Sequence, residues 1–161
     1  MTSMCLKPGI NNVFITNDKN EGPILVLEKL TDNKIHLNFT LTGMMALKEP
    51  INEKLQTFYL YIFLTYQHGG RETEVISSSQ IYCDKDILES ETLNFTTTLT
   101  VPAKKLYSNQ DFVWNYYSVK IAYIEKEAED GADLNFLVNG IGNSLFQTKL
   151  NIVIKDGESY E

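Results

Sequence analysis

Two cysteines, two histidines and four prolines are all that this 161-residue chain carries of those types. Cys5 and Cys83 lack Cys-x-x-Cys spacing and have no histidine beside them. That leaves out a zinc knuckle or a redox pair, and they read as two reduced thiols. Within one strand, neither His36 nor His68 has a His, Cys or Glu partner at i+2 or i+4 on the same face. The short spacing that normally seeds a metal site is therefore missing. Positive charge is scarce too, with 14 Lys and Arg against 21 Asp and Glu and a formal net charge of −7. The only adjacent basic pair is Lys104-Lys105, too small a footprint for a phosphate backbone, so no nucleic-acid partner is expected.

Long apolar runs are lacking as well. The longest, FYLYIFL at Phe58–Leu64, is far below the roughly 20 residues that a helix needs to cross a bilayer. The opening MTSMCLKPGINN has neither a signal-peptide core nor a lipoprotein box around Cys5, so a cytoplasmic protein without a leader is expected. No Gly-x-Ser-x-Gly elbow and no Gly-rich loop before a helix occurs, and Ser77-Ser78-Ser79 lies inside a strand pattern. The expectation is a protein that is not an enzyme, with a small hydrolase as the residual alternative. Helical periodicity is scarce. GMMALKEPINEKL (Gly43–Leu55) is interrupted by Pro50, and PAKKLY (Pro102–Tyr107) has room for a single turn begun by its proline.

What fills the chain is alternation. Side chains of a strand point to opposite faces in turn, so a half-buried strand repeats every two residues. In IHLNFTLT, Ile35, Leu37, Phe39 and Leu41 line one face, with His36, Asn38, Thr40 and Thr42 on the other. In TLNFTTTLTV, Leu93, Phe95, Leu99 and Val101 oppose a row of Thr and Asn. Both carry Asn-Phe-Thr, a glycosylation acceptor. Use of Asn38 or Asn94 would require a secretory route that the N-terminus does not provide, so the triplet reads as convergent strand chemistry. A third Leu-Asn-Phe at Leu134–Phe136 breaks any constant period, which excludes a repeat array.

Further strands are read at Pro23–Leu30, Thr57–Tyr66, through ETEVISSSQIYC, at Tyr116–Ile124 and at Ser144–Lys155. Thr57–Tyr66 is apolar or aromatic at nearly every position, which suits a central strand covered on both faces. Gln67-His68-Gly69-Gly70-Arg71 supplies a hairpin loop whose glycines accept positive φ. The reading is an all-β, antiparallel two-sheet β-sandwich of immunoglobulin-like or C2-like type, with a closed barrel as the alternative. It divides into an N-terminal arm over 1–22, partly ordered, one sandwich domain over 23–155 and a flexible tail over 156–161. LNFTTTLTVPAKKL followed by YYSVKIAYI resembles the rhythm of arrestin-like and other immunoglobulin-like sandwiches over about a third of the chain. It carries no diagnostic residue, so it implies a fold and no site.

Two polar or aromatic features remain. EKEAEDGADLN (Glu125–Asn135) gathers carboxylates, and Glu127, Asp130 and Asp133 are the candidate metal ligands. Hard oxygens on a turn suit Ca²⁺, although the order does not match an EF-hand; the plain alternative is a solvated connection. FVWNYY (Phe112–Tyr117) offers Trp114 and Tyr116 as candidate binding residues if the alternate set faces the core. Packing under a loop is the competing reading. The expected function is a non-catalytic module that binds a protein partner or assembles with its own copies. The alternative is a carbohydrate- or Ca²⁺-dependent recognition domain.

Overall fold

The two Asn-Phe-Thr triplets, 56 residues apart, lie against each other. The structure, a computed structural model, describes residues 9–17, 24–42, 58–83, 92–124 and 144–155. In chain order these form β1 (Gly9–Asn17), β2 (Leu25–Glu28), β3 (Asn33–Thr42), β4 (Phe58–His68) and β5 (Glu72–Cys83). They continue as β6 (Thr92–Val101), a 3-10 turn (Ala103–Lys105), β7 (Tyr116–Ile124), β8 (Ser144–Lys149) and β9 (Ile152–Lys155). One sheet has the order β1-β3-β6 and a second β5-β4-β7-β8, while β2 and β9 pair in parallel.

Antiparallel β3 and β6 register Asn38 on Thr96, Phe39 on Phe95 and Thr40 on Asn94, so the triplets meet about a local two-fold. Inside, the phenyl rings of Phe39 and Phe95 stack at 5.5 Å. On the other face the Thr96 hydroxyl donates to Asn38 Oδ1 at 2.7 Å, and Thr40 donates to Asn94 Oδ1 at 2.7 Å. Both asparagines are thus engaged in cross-strand pairs of the kind that stabilise a sheet.

The inward rows of the two sheets build one core. Ile35, Leu37 and Leu41 of β3 join Leu60, Ile62 and Leu64 of β4 and Val119 and Ile121 of β7, all fully buried. Truncating any of these to alanine should cost about 2–5 kcal/mol, the usual range for a core aliphatic. β4 is buried at every position from Leu60 to Tyr66, as expected for a central strand flanked by β5 and β7. Its second face carries Tyr61 stacked on Phe63 at 5.7 Å and a buried pair in which Thr65 Oγ1 and Ser118 Oγ lie 2.6 Å apart.

The architecture is an all-β sandwich and not a closed barrel. Along one seam the edge strands β5 and β6 are joined by side chains in place of a backbone ladder. Thr97 donates to Ser79 Oγ at 2.7 Å, and the Thr100 N–H donates to Ser77 Oγ at 3.2 Å. Two of the three serines thereby act as a latch between sheets. Along the other seam, β1 and β8 flank an open groove of about 560 Å³.

Three strands differ from the sequence reading. β1 lies inside the stretch assigned to an arm. A register shift between Asn11 and Phe14, with Asn12 at φ 52°, breaks its alternation and hides its period. The strand expected over Pro23–Leu30 ends at Glu28, because Asn33 clamps the following turn; Pro23 lies outside the described residues. Asn33 Oδ1 accepts from the Glu28 N–H and its amide donates to the Glu28 carbonyl, both at 2.8 Å. The single strand expected over Ser144–Lys155 is two: β8 pairs with β7, β9 with β2. At the switch the Leu150 N–H donates to the Tyr117 carbonyl and the Leu25 N–H to that of Asn151. A period of two runs through such a change of partner unmarked.

Candidate functional site

The β4–β5 hairpin and the segment entering β7 meet at one end of the sandwich. Beneath them stands a column of rings. Tyr66 stacks on Tyr107 at 4.4 Å and meets His68 and Tyr117 edge-on at 4.7 and 4.8 Å. Their polar ends find partners, as buried or half-buried aromatic hydroxyls do. Tyr66 donates to the Asn109 carbonyl. Tyr117 accepts from the Tyr107 N–H at 2.5 Å and donates to the Lys105 carbonyl at 3.2 Å.

Glu74 of β5 ties this column together. Its Oε1 accepts from Tyr107 at 2.6 Å and from His68 Nε2 at 2.8 Å, while Lys105 Nζ lies 3.3 Å from Oε2. Partial burial pushes the carboxyl upward, but those three donors outweigh it and hold Glu74 below its ordinary range. Burial and then the hydrogen bond to Glu74 push Tyr107 up to about 12. Tyr117 is likewise raised to about 12, chiefly by burial. Both carboxylate oxygens have partners, so Glu74 fastens the hairpin to the turn.

Above the column sits the loop Asp111–Asn115. Asp111 Oδ1 accepts from the N–H groups of Val113, Trp114 and Asn115 at 3.0, 2.7 and 2.8 Å, and Oδ2 accepts from the Asn115 amide at 3.0 Å. These donors, the Asn115 N–H foremost, hold the Asp111 carboxyl well below the usual carboxylate range. The Asp111 N–H donates back to the Asn115 carbonyl at 2.9 Å. Phe112 takes φ 63°, a left-handed conformation that costs a bulky residue energy and persists only where surroundings impose it. Lys149 fixes its carbonyl from below, with Nζ at 2.5 Å, and lies 4.3 Å above the Tyr116 ring.

The hairpin grips the same loop. The Gly70 N–H donates to the Trp114 carbonyl at 2.7 Å and the Gly69 N–H to Asn115 Oδ1 at 2.8 Å. The indole rests on Gly70, where an added Cβ would lie 2.5 Å from Trp114 Cε3. Despite this anchoring the side chains point outward: Phe112 is 44% exposed, Val113 59% and Trp114 60%. The loop therefore shows solvent three consecutive large apolar residues on a backbone with little freedom.

Of the residues singled out from sequence, Trp114 lies at the surface and Tyr116 is half-buried at the start of β7. They do not share one strand face, because Trp114 precedes β7 and caps the hairpin, whereas Tyr116 lies beneath Lys149. Glu127, Asp130 and Asp133 lie outside the described residues. Among the described residues no group of three His, Cys, Asp or Glu is placed to hold a metal. No described helix is long and apolar enough to cross a membrane. Sequence reasoning missed Asp111, Glu74 and Tyr107. Asp-x-x-x-Asn ahead of a strand is a local signal for the first; the other two are 33 residues apart and carried none.

No family model and no curated protein matches the chain. Among solved structures, it is similar to a glycosyl hydrolase family 2 member from Bacteroides cellulosilyticus DSM 14838, with 12% identity and a TM-score of 0.42. The match covers 86% of this chain and 14% of that one, so the chain spans about one seventh of that protein's length. At that level of likeness neither fold nor activity transfers.

Proposed function

We propose that this protein is a non-catalytic β-sandwich module that engages a protein partner through the Asp111–Asn115 loop. The observation that carries the reading is the Asp111 carboxylate, which collects three successive backbone N–H groups beneath an exposed Phe-Val-Trp. Ordering a loop at the moment of binding costs affinity, and a loop already fixed avoids that cost. Aromatic anchors at the centre of a contact contribute most of its energy, and Trp is the residue most enriched there. Glu74, His68, Tyr107 and Lys105 satisfy one another, which supports a structural role for the nearby titratable groups.

The test is affinity capture from cells that express the protein, using the full chain and the variants Trp114→Ala and Asp111→Ala. A protein retained by the parent should be lost with Trp114→Ala and weakened with Asp111→Ala. Retention unchanged in both variants would remove the loop from the interaction.

A further inference from the structure

The bonds that hold the Asp111–Asn115 loop do not all fall on the same residues. Asp111 and the hairpin glycines hold Val113, Trp114 and Asn115. The Phe112 carbonyl lies outside that set, and among the described residues its partner is Lys149, whose Nζ donates to it at 2.5 Å. The same peptide group ends in the Val113 N–H, which donates to Asp111 Oδ1 at 3.0 Å. A trans peptide points its C=O and N–H in opposite directions. One peptide dipole is therefore held between a cation at its oxygen and an anion at its hydrogen, each at the end that its charge favours. That peptide directly follows Phe112, whose φ of 63° is the costliest backbone setting in the loop.

We infer that Lys149 is a positioning residue of the binding loop: its ammonium fixes the Phe112–Val113 peptide and with it the outward set of Phe112, Val113 and Trp114. This deepens the function proposed above and rests on its assignment of the loop. A surface lysine is ordinarily too mobile to set a backbone, and its charge contributes little. Lys149 is confined on two sides. Its backbone sits opposite Ser118 in the β7–β8 ladder, and the next residue, the buried Leu150, donates its N–H to the Tyr117 carbonyl at 2.8 Å. Its ammonium lies 4.3 Å from the centre of the Tyr116 ring, a cation–π contact that restricts the end of the side chain. The role needs a charge and a donor on a long stem. Arginine brings both and also favours an aromatic face, whereas methionine keeps only the stem.

The experiment is amide hydrogen exchange read by NMR on the full chain, comparing the parent with Lys149→Met and Lys149→Arg. Lys149 is exposed, and circular dichroism checks that each variant keeps its strands. Lys149→Met should speed exchange at the Val113 amide about fivefold, the factor that one net hydrogen bond carries. Trp114 is the single tryptophan, so its fluorescence anisotropy decay reports the loop in the native chain, where a loss of global stability leaves it unmoved. Lys149→Met should add fast motion on the picosecond-to-nanosecond scale, and Lys149→Arg should return both readouts toward the parent. Unchanged Val113 exchange in Lys149→Met, or arginine no better than methionine, would overturn the inference. In the capture test Lys149→Met should weaken retention as Asp111→Ala does, and undiminished retention beside faster exchange would overturn it as well. A parent that retains no protein is a failure of the proposed function alone, since exchange and anisotropy are measured on the free chain.

Discussion

Gly69 and Gly70 make a controlled pair for testing how the loop is held. Both have left-handed backbone, with φ 59° and 72°. An alanine at either position meets the same penalty, about 1–2 kcal/mol for placing a Cβ in that region, lessened by reduced freedom of the unfolded chain. The space around them differs. A Cβ at Gly69 meets nothing within 4 Å, whereas at Gly70 it would lie 2.5 Å from Trp114 Cε3. The indole is exposed enough to swing outward, but it then loses its seat and strains the 2.7 Å bond from the Gly70 N–H to the Trp114 carbonyl. A net hydrogen bond contributes about 1 kcal/mol. Gly69→Ala should therefore cost about 1 kcal/mol, or about 2–4 °C in Tm for a chain of this size, and Gly70→Ala about 2–3 kcal/mol. Urea unfolding followed by far-ultraviolet dichroism measures both. Repeating Gly70→Ala in a Trp114→Ala background should recover about 1 kcal/mol of the difference. Equal costs for the two alanines, or a coupling below about 0.3–0.5 kcal/mol, would refute the reasoning that Gly70 seats the indole.

Other consequences are as direct. Thr65→Val strands the buried Ser118 hydroxyl and should cost about 1–3 kcal/mol, while Thr65→Val with Ser118→Ala together should fall back toward neutrality in the same urea assay. Glu74 has a folded pKa below its ordinary value, so its contribution is present above the unfolded pKa and lost as pH falls through the folded one. Tm should consequently drop less on acidification in Glu74→Gln than in the parent. Tyr107 and Tyr117, both raised to about 12, lend stability that is present below about pH 10 and lost as pH climbs through 12. Absorbance at alkaline pH should show Tyr66, Tyr107 and Tyr117 ionising late, and removal of Glu74 should bring Tyr107 earlier.

Alternation of oily and polar residues by itself settled the all-β class, the inward rows of β3 and β6, and the two-sided burial of β4. These depend only on the strand's own geometry, in which every second side chain shares a face. The Gly69-Gly70 turn was legible for the same local reason, since positive φ favours glycine. Trp114 was legible as a surface candidate, but the sequence left packing beneath a loop equally open.

Tertiary structure decided everything that depends on who the neighbour is. Two Asn-Phe-Thr triplets looked like separate solutions to one problem, yet each is the other's solution, because antiparallel register sets Phe39 against Phe95. Leu150 and Asn151 carry no mark of the change from β7 to β2, and Glu74 carries none of Tyr107. The bulge at Asn12 even erased the period of β1. A strand's pattern records which way its side chains point; pairing, latches and the open seam arise from hydrogen bonds and contacts between segments far apart in the chain, which no local period encodes.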